Sequence, residues 1–146
     1  MTRRPKDIGT EAERMVREWL KANGWPETER QVLHGGKDQG DLLICRAPRI
    51  IAEVKGGARA EAASATMIGA WLDETETEAV HAGADLAVLV VRRFRRPPAL
   101  WDAYMRANDW ALLLTGDSIL PTDAPWLLRA SLADWSRMAW EWADVA

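Results

Sequence analysis

Three residues equipped for chemistry stand close together in this 146-residue chain: Asp41 in Gly40-Asp41-Leu42-Leu43-Ile44, then Glu53 and Lys55 in Ile50-Ile51-Ala52-Glu53-Val54-Lys55. Carboxylates that oppose one another across two strands cost a few tenths to about 1 kcal/mol, and more when partly buried. A divalent cation between them removes that cost. Mg²⁺ takes one or two carboxylates, several waters and a substrate phosphate, and leaves room for a backbone carbonyl, here that of Val54. The lysine is informative because the chain has fifteen arginines and only four lysines: Lys6, Lys21, Lys37 and Lys55. An ammonium is a compact charge whose pKa can move, which suits a group that positions a water near a phosphate or helps to deprotonate it. The competing reading of the same residues is an exposed alternating strand, with Glu53 and Lys55 in solvent and Asp41 as a turn residue.

The elements that would bring the trio together are legible in the pattern. Leu42 to Cys45 and Arg49 to Val54 are rich in Ile, Leu and Val, and Arg46-Ala47-Pro48 between them reads as a tight connection, so two antiparallel strands are predicted. A turn centred on Ala47 sets Asp41 opposite Glu53. Side chains alternate along a strand, so Glu53 and Lys55 share a face with Asp41 while Ile50, Ala52 and Val54 point into a core. Upstream, Ala12, Met15, Val16, Trp19 and Leu20 form a helical stripe ending at Asn23-Gly24, with Glu13 on its flank, and Glu29 to His34 reads as a first strand. Downstream, Ala62 to Ala82 reads as a long helix with Met67, Ile68, Trp71, Leu72 and Ala79 as core, and Asp85 to Arg92 as a fourth strand.

Gly9-x-x-x-Glu13-Arg14, then Gly40-Asp41, then Glu53-Val54-Lys55, in the order helix, three strands, helix, strand, resembles the PD-(D/E)xK nuclease superfamily. Within it the chain is most similar to small Holliday-junction resolvases of archaeal type and related phage-encoded proteins. The resemblance covers about residues 5 to 96. It implies an α/β fold with a restriction-endonuclease-like core (helix, three-stranded antiparallel meander, helix, strand). It also implies that Asp41, Glu53 and the Val54 carbonyl ligate Mg²⁺, with Mn²⁺ as a substitute, that Lys55 orients or activates the attacking water, and that Glu13 holds a water from the first helix. The implied reaction is hydrolysis of a DNA phosphodiester by in-line attack. Resolvases of this kind act as homodimers. The chain departs from the pattern in two places: Gly40 replaces the proline before Asp41, and the long helix offers no glutamine or lysine.

The net charge of −3 is unevenly spread. Residues 1–60 hold twelve basic and nine acidic side chains, residues 61–96 four and six, and residues 97–146 three and seven. The positive excess therefore lies where the proposed site lies. Arg3, Arg4, Lys6 and Arg14 are the expected DNA-binding cations, and the glycine-rich loop with Gly36 and Lys37 is placed to touch a sugar-phosphate backbone. His34 reads more readily as structural than as catalytic. Arg92, Arg93, Arg95 and Arg96 make a second basic patch. Asp73, Glu74, Glu76 and Glu78 form an acidic run expected to face away from DNA or towards a partner's basic surface.

One domain, 1–146, is expected, with its core at about 5–96 and an extension at about 97–146 read as a Trp-rich α segment. No apolar run approaches a membrane span and the amino terminus lacks a secretory pattern, so an intracellular, cytoplasmic protein, with phage origin allowed, is expected. Cys45 excludes an intrachain disulfide. In the last third, Asp102 to Arg106 is the expected fifth strand and Asn108 an expected cap for a short helix from Asp109 to Leu114, with the reverse order of the two open, and Ser131 is the expected cap of a final helix. Six of nine tryptophans fall there, expected to pack on the sheet or at a dimer surface rather than stack on bases. Three functions stay open: a structure-selective, junction-resolving DNA endonuclease; a repair, restriction or replication nuclease of the same superfamily acting on duplex, flap or nicked DNA; and a non-catalytic DNA-binding relative.

Overall fold

The computed structural model describes residues 5–31, 38–117 and 126–145, with side chains from residue 9 onward. The chain begins with α1 (Pro5–Ala22), whose Ala12, Val16 and Leu20 recur at helical spacing and are fully buried. Next come β1 (Glu29–Arg30), β2 (Leu42–Arg46) and β3 (Arg49–Lys55). A single turn, α2 (Ala58–Glu61), precedes the long α3 (Ala65–Ala82), which starts where the Ser64 hydroxyl accepts from the Met67 amide at 3.2 Å and stops at left-handed Gly83. Then follow β4 (Leu86–Val91), a 3-10 turn at Pro98–Leu100, β5 (Asp102–Arg106), α4 (Ala107–Thr115), β6 (Leu127–Ser131) and α5 (Leu132–Val145).

The six strands form one mixed sheet in the order β1-β2-β3-β4-β5-β6. The crossover through α2 and α3 makes β3 and β4 parallel, and every other neighbouring pair is antiparallel. One face carries the larger core, in which α1, α4 and α5 cover Ile50, Ala52, Val54, Val88 and Val90. The other carries a smaller core in which Ile68, Trp71 and Leu72 of α3 cover Leu89, Val91 and Tyr104.

The hairpin reaches its expected register by an unexpected route. Arg46 pairs with Arg49 and Cys45 with Ile50, so the turn centres between Ala47 and Pro48 rather than on Ala47. A regular ladder from that turn would set Asp41 against Val54. Instead a bulge at Ile44 shifts the register, so that Leu43 pairs with Ile51 and Leu42 with Ala52, and the paired ladder ends at Leu42, next to Asp41.

The segment after residue 97 is not only α-helical. Its described residues add two strands as well as two helices, and Trp101, Met105, Leu132 and Trp135 are buried in the same core as α1. Strand β5 runs over the expected residues, whereas β6 lacks a clean alternation in sequence and was not anticipated. Asn108 lies inside α4 instead of capping it. Ser131 does cap α5, its hydroxyl accepting from the Asp134 amide at 3.1 Å. No helix among the described residues is long and apolar enough to cross a membrane.

Candidate active site

The hairpin, α1 and α3 bring four carboxyl groups to one end of the sheet. Asp41 enters from the segment before β2, where its amide donates to the Ala52 carbonyl at 3.0 Å and its Oδ2 accepts the Val54 amide at 2.8 Å. Those two bonds lock the side chain to β3. Glu53 projects from β3 toward α3 and is 7% exposed. Glu13 reaches Asp41 from α1, while Arg30 Nε stands 3.5 Å from Glu13 Oε2. Glu78 reaches Glu53 from α3 and is 6% exposed.

This crowding shows in the proton affinities. Burial first, then the charge of Asp41, raises the Glu13 pKa to about 7. Burial raises that of Asp41 against the opposing pull of the Val54 amide and Lys55. Glu53 is driven far above the ordinary carboxylate range by burial, then by Asp41 and Glu78. Glu78 rises to about 7, chiefly by burial, with Asp38 and Asp41 adding to it. Oε2 of Glu53 and Oε2 of Glu78 are both covered and receive no donor when both groups are ionised. A proton on one of them makes the hydrogen bond by which the two carboxyls meet.

Lys55, two residues beyond Glu53 on the same face of β3, completes the group. Its Nζ lies 3.5 Å from Glu53 Oε1, 3.5 Å from Glu74 Oε2 and 5.6 Å from the Trp71 ring centroid. Burial alone would depress its pKa, but Glu53, Glu74 and Asp41 outweigh burial and leave it raised. Lys55 is therefore held in its charged form more firmly than a free lysine.

A cleft of about 190 Å³, lined by Glu13, Arg30, Asp38 and Asp41 among others, opens onto the cluster. A larger cavity of about 320 Å³ beside Trp25, Cys45 and Trp140 lies at the other end of β2 and has no part in this site. Among the described residues, no three His, Cys, Asp or Glu side chains close around one point as a metal cage. Magnesium does not require one: one or two carboxylates, with water, substrate oxygen and a backbone carbonyl, are its usual shell. Buried carboxyl oxygens without donors, facing a surplus of negative charge, fit such an ion.

All four expected catalytic residues, Glu13, Asp41, Glu53 and Lys55, thus converge. Arg14 lies exposed on α1, and Lys6 is in its first turn with its side chain outside the described part. Arg3, Arg4, Gly36 and Lys37, with His34, also lie outside the described residues. Of the acidic run on α3, Asp73, Glu74 and Glu76 are exposed, but Glu78 turns inward. The signal was in the spacing: Ile68, Trp71, Thr75 and Glu78 lie on one helical stripe, so a glutamate occupies a core-facing position. Comparison of the chain with protein-family models, curated proteins and solved structures finds no match.

Proposed function

We propose that this chain is a Mg²⁺-dependent DNA endonuclease of the PD-(D/E)xK kind, acting on branched DNA and most concretely on four-way junctions. The observation that supports this reading is the convergence of Glu13, Asp41, Glu53 and Glu78 from three separate elements beside Lys55, a concentration of negative charge with few cations against it. A stable fold gains nothing from such a group unless a cation or a proton enters it.

In this mechanism Asp41, Glu53 and the Val54 carbonyl would hold the ion. Bound there, Mg²⁺ supplies charge stabilisation at the phosphate and a more acidic water. The Val54 amide fixes Asp41, so that carboxylate needs no reorganisation when substrate arrives. Lys55, kept protonated, faces the incoming phosphate with a fixed positive charge and orients the water. Glu13, at about 7 and on the open cleft, is matched to accept a proton near neutral pH. Glu78 sets the protonation and direction of Glu53. Two symmetric cuts across a junction need two copies of this site, hence a homodimer.

The test is incubation with Mg²⁺ and end-labelled four-way junction, flap, nicked and linear duplex DNA, with Glu53→Ala and Lys55→Ala alongside. Paired symmetric nicks on the junction, lost in both variants, are expected. Equal cutting of linear duplex would move the substrate to repair or restriction classes. Binding of DNA without any cleavage would overturn the enzyme reading.

A further inference from the structure

The loop after β4, residues 92–97, rises at the same end of the sheet as the carboxyl cluster. The Arg92 amide donates to the Lys55 carbonyl at 2.9 Å, and Val91 pairs with Lys55 across the parallel strands. The base of the loop is fixed by side chains. Arg92 lies 5.3 Å from the Trp101 ring centroid and 4.0 Å from Glu11, and Arg93 lies 3.5 Å from Asp102. The far side is anchored where Trp101 Nε1 donates to the Arg96 carbonyl at 2.8 Å.

Between these anchors stands Phe94, the single phenylalanine of the chain, 65% exposed. The Arg95 guanidinium sits 5.1 Å from its ring centroid, and Arg95 adopts φ 57°, a left-handed conformation uncommon for a residue with a side chain. One exposed apolar side chain needs no explanation by itself. This one is flanked by arginines on both sides, on a loop rooted beside Lys55. Strand spacing and chain reach put its Cα within roughly 16 Å of that of Lys55, about five nucleotide steps along helical DNA.

We propose that Phe94, with Arg95 and Arg96, is a platform on which a base face left unstacked at the branch point of a DNA substrate stacks while the guanidiniums take the adjoining phosphates. An aromatic face with neighbouring cations binds single-stranded bases irrespective of sequence, whereas an intact duplex has no face to offer it. The platform would therefore select flaps, and four-way junctions opened at their centre so that base faces are exposed, over linear DNA. The inference rests on the nuclease reading for its substrate, but its binding readout is separate.

Binding of labelled four-way junction, flap and linear duplex is measured by fluorescence anisotropy with Ca²⁺ in place of Mg²⁺, and cleavage is measured in parallel with Mg²⁺. Phe94→Ala should weaken junction and flap binding about tenfold, the size of one lost base-stacking contact, and leave linear duplex within about twofold. Phe94→Trp should retain wild-type binding. Equal losses on all three DNAs, no loss on any, or no binding of any DNA by the wild-type protein would overturn the platform. Wild-type protein that binds the junction through Phe94 yet cuts nothing would retain the platform and remove the nuclease. Protein that binds and cuts the junction equally well with and without Phe94 would do the reverse.

Discussion

Glu13 and Glu78 hold protons more tightly in the folded chain than a free glutamate does, each at about 7 against 4.5. A raised acid contributes stability that is complete below its unfolded pKa and is lost as pH rises through the folded one. The metal-free protein should therefore lose thermal stability between about pH 4.5 and 8, followed by differential scanning fluorimetry. Glu78→Gln should flatten that decline and raise the melting temperature at pH 8. Mg²⁺ bound as proposed would compete with protons for the same oxygens, so its stabilising shift should grow over the same interval. At this scale Asp41, Glu53 and Lys55 were legible, because strand alternation alone sets them on one face. Glu78 was hidden by its company: three exposed acids on the same helix made it read as solvated surface. The proton affinity of Lys55 was not legible either, since its sign depends on how many carboxylates surround it.

Elements decide whether those side chains meet. The hairpin register depends on the bulge at Ile44, which the sequence does not announce, since Leu42 to Cys45 reads as an unbroken strand. Two compensating offsets, a turn one half-step later than expected and one extra residue in β2, left the Leu42–Ala52 register that the expected turn implies. Gly40 is the second hinge of this arrangement. It sits at φ 92°, and an added Cβ would come 3.2 Å from Ile51 Cδ1, 3.4 Å from the Ala52 carbonyl and 3.8 Å from Glu78 Oε2. The positive φ and the crowding together call for glycine at this position. Gly40→Ala should cost about 1–2 kcal/mol in urea unfolding, from backbone strain and crowding together. Its loss in metal affinity should exceed that of a Gly69→Ala control, where an added Cβ meets nothing within 4 Å.

At the scale of the whole molecule, the described residues after Pro97 are part of the core rather than a cover laid over it. Trp101 and Trp135 are fully buried, Trp25 Nε1 donates to Ser136 Oγ at 2.8 Å, and β5 and β6 extend the sheet beyond β4. A chain ending at Pro97 should fail to fold, and Trp135→Ala should cost about 3–5 kcal/mol while unfolding remains one cooperative transition by circular dichroism. The tryptophans were read correctly as packing residues in Trp101, Trp110 and Trp135, but Trp126 and Trp140 remain half exposed. The central claim is that one end of this sheet is built to receive a divalent cation. Calorimetric titration with Mn²⁺ at pH 7.5, in two buffers of different ionisation enthalpy, tests it most directly. Saturable binding that releases protons, abolished in the Asp41→Asn, Glu53→Gln double variant, is expected; binding unchanged by those substitutions, or none in the wild-type protein, would contradict it.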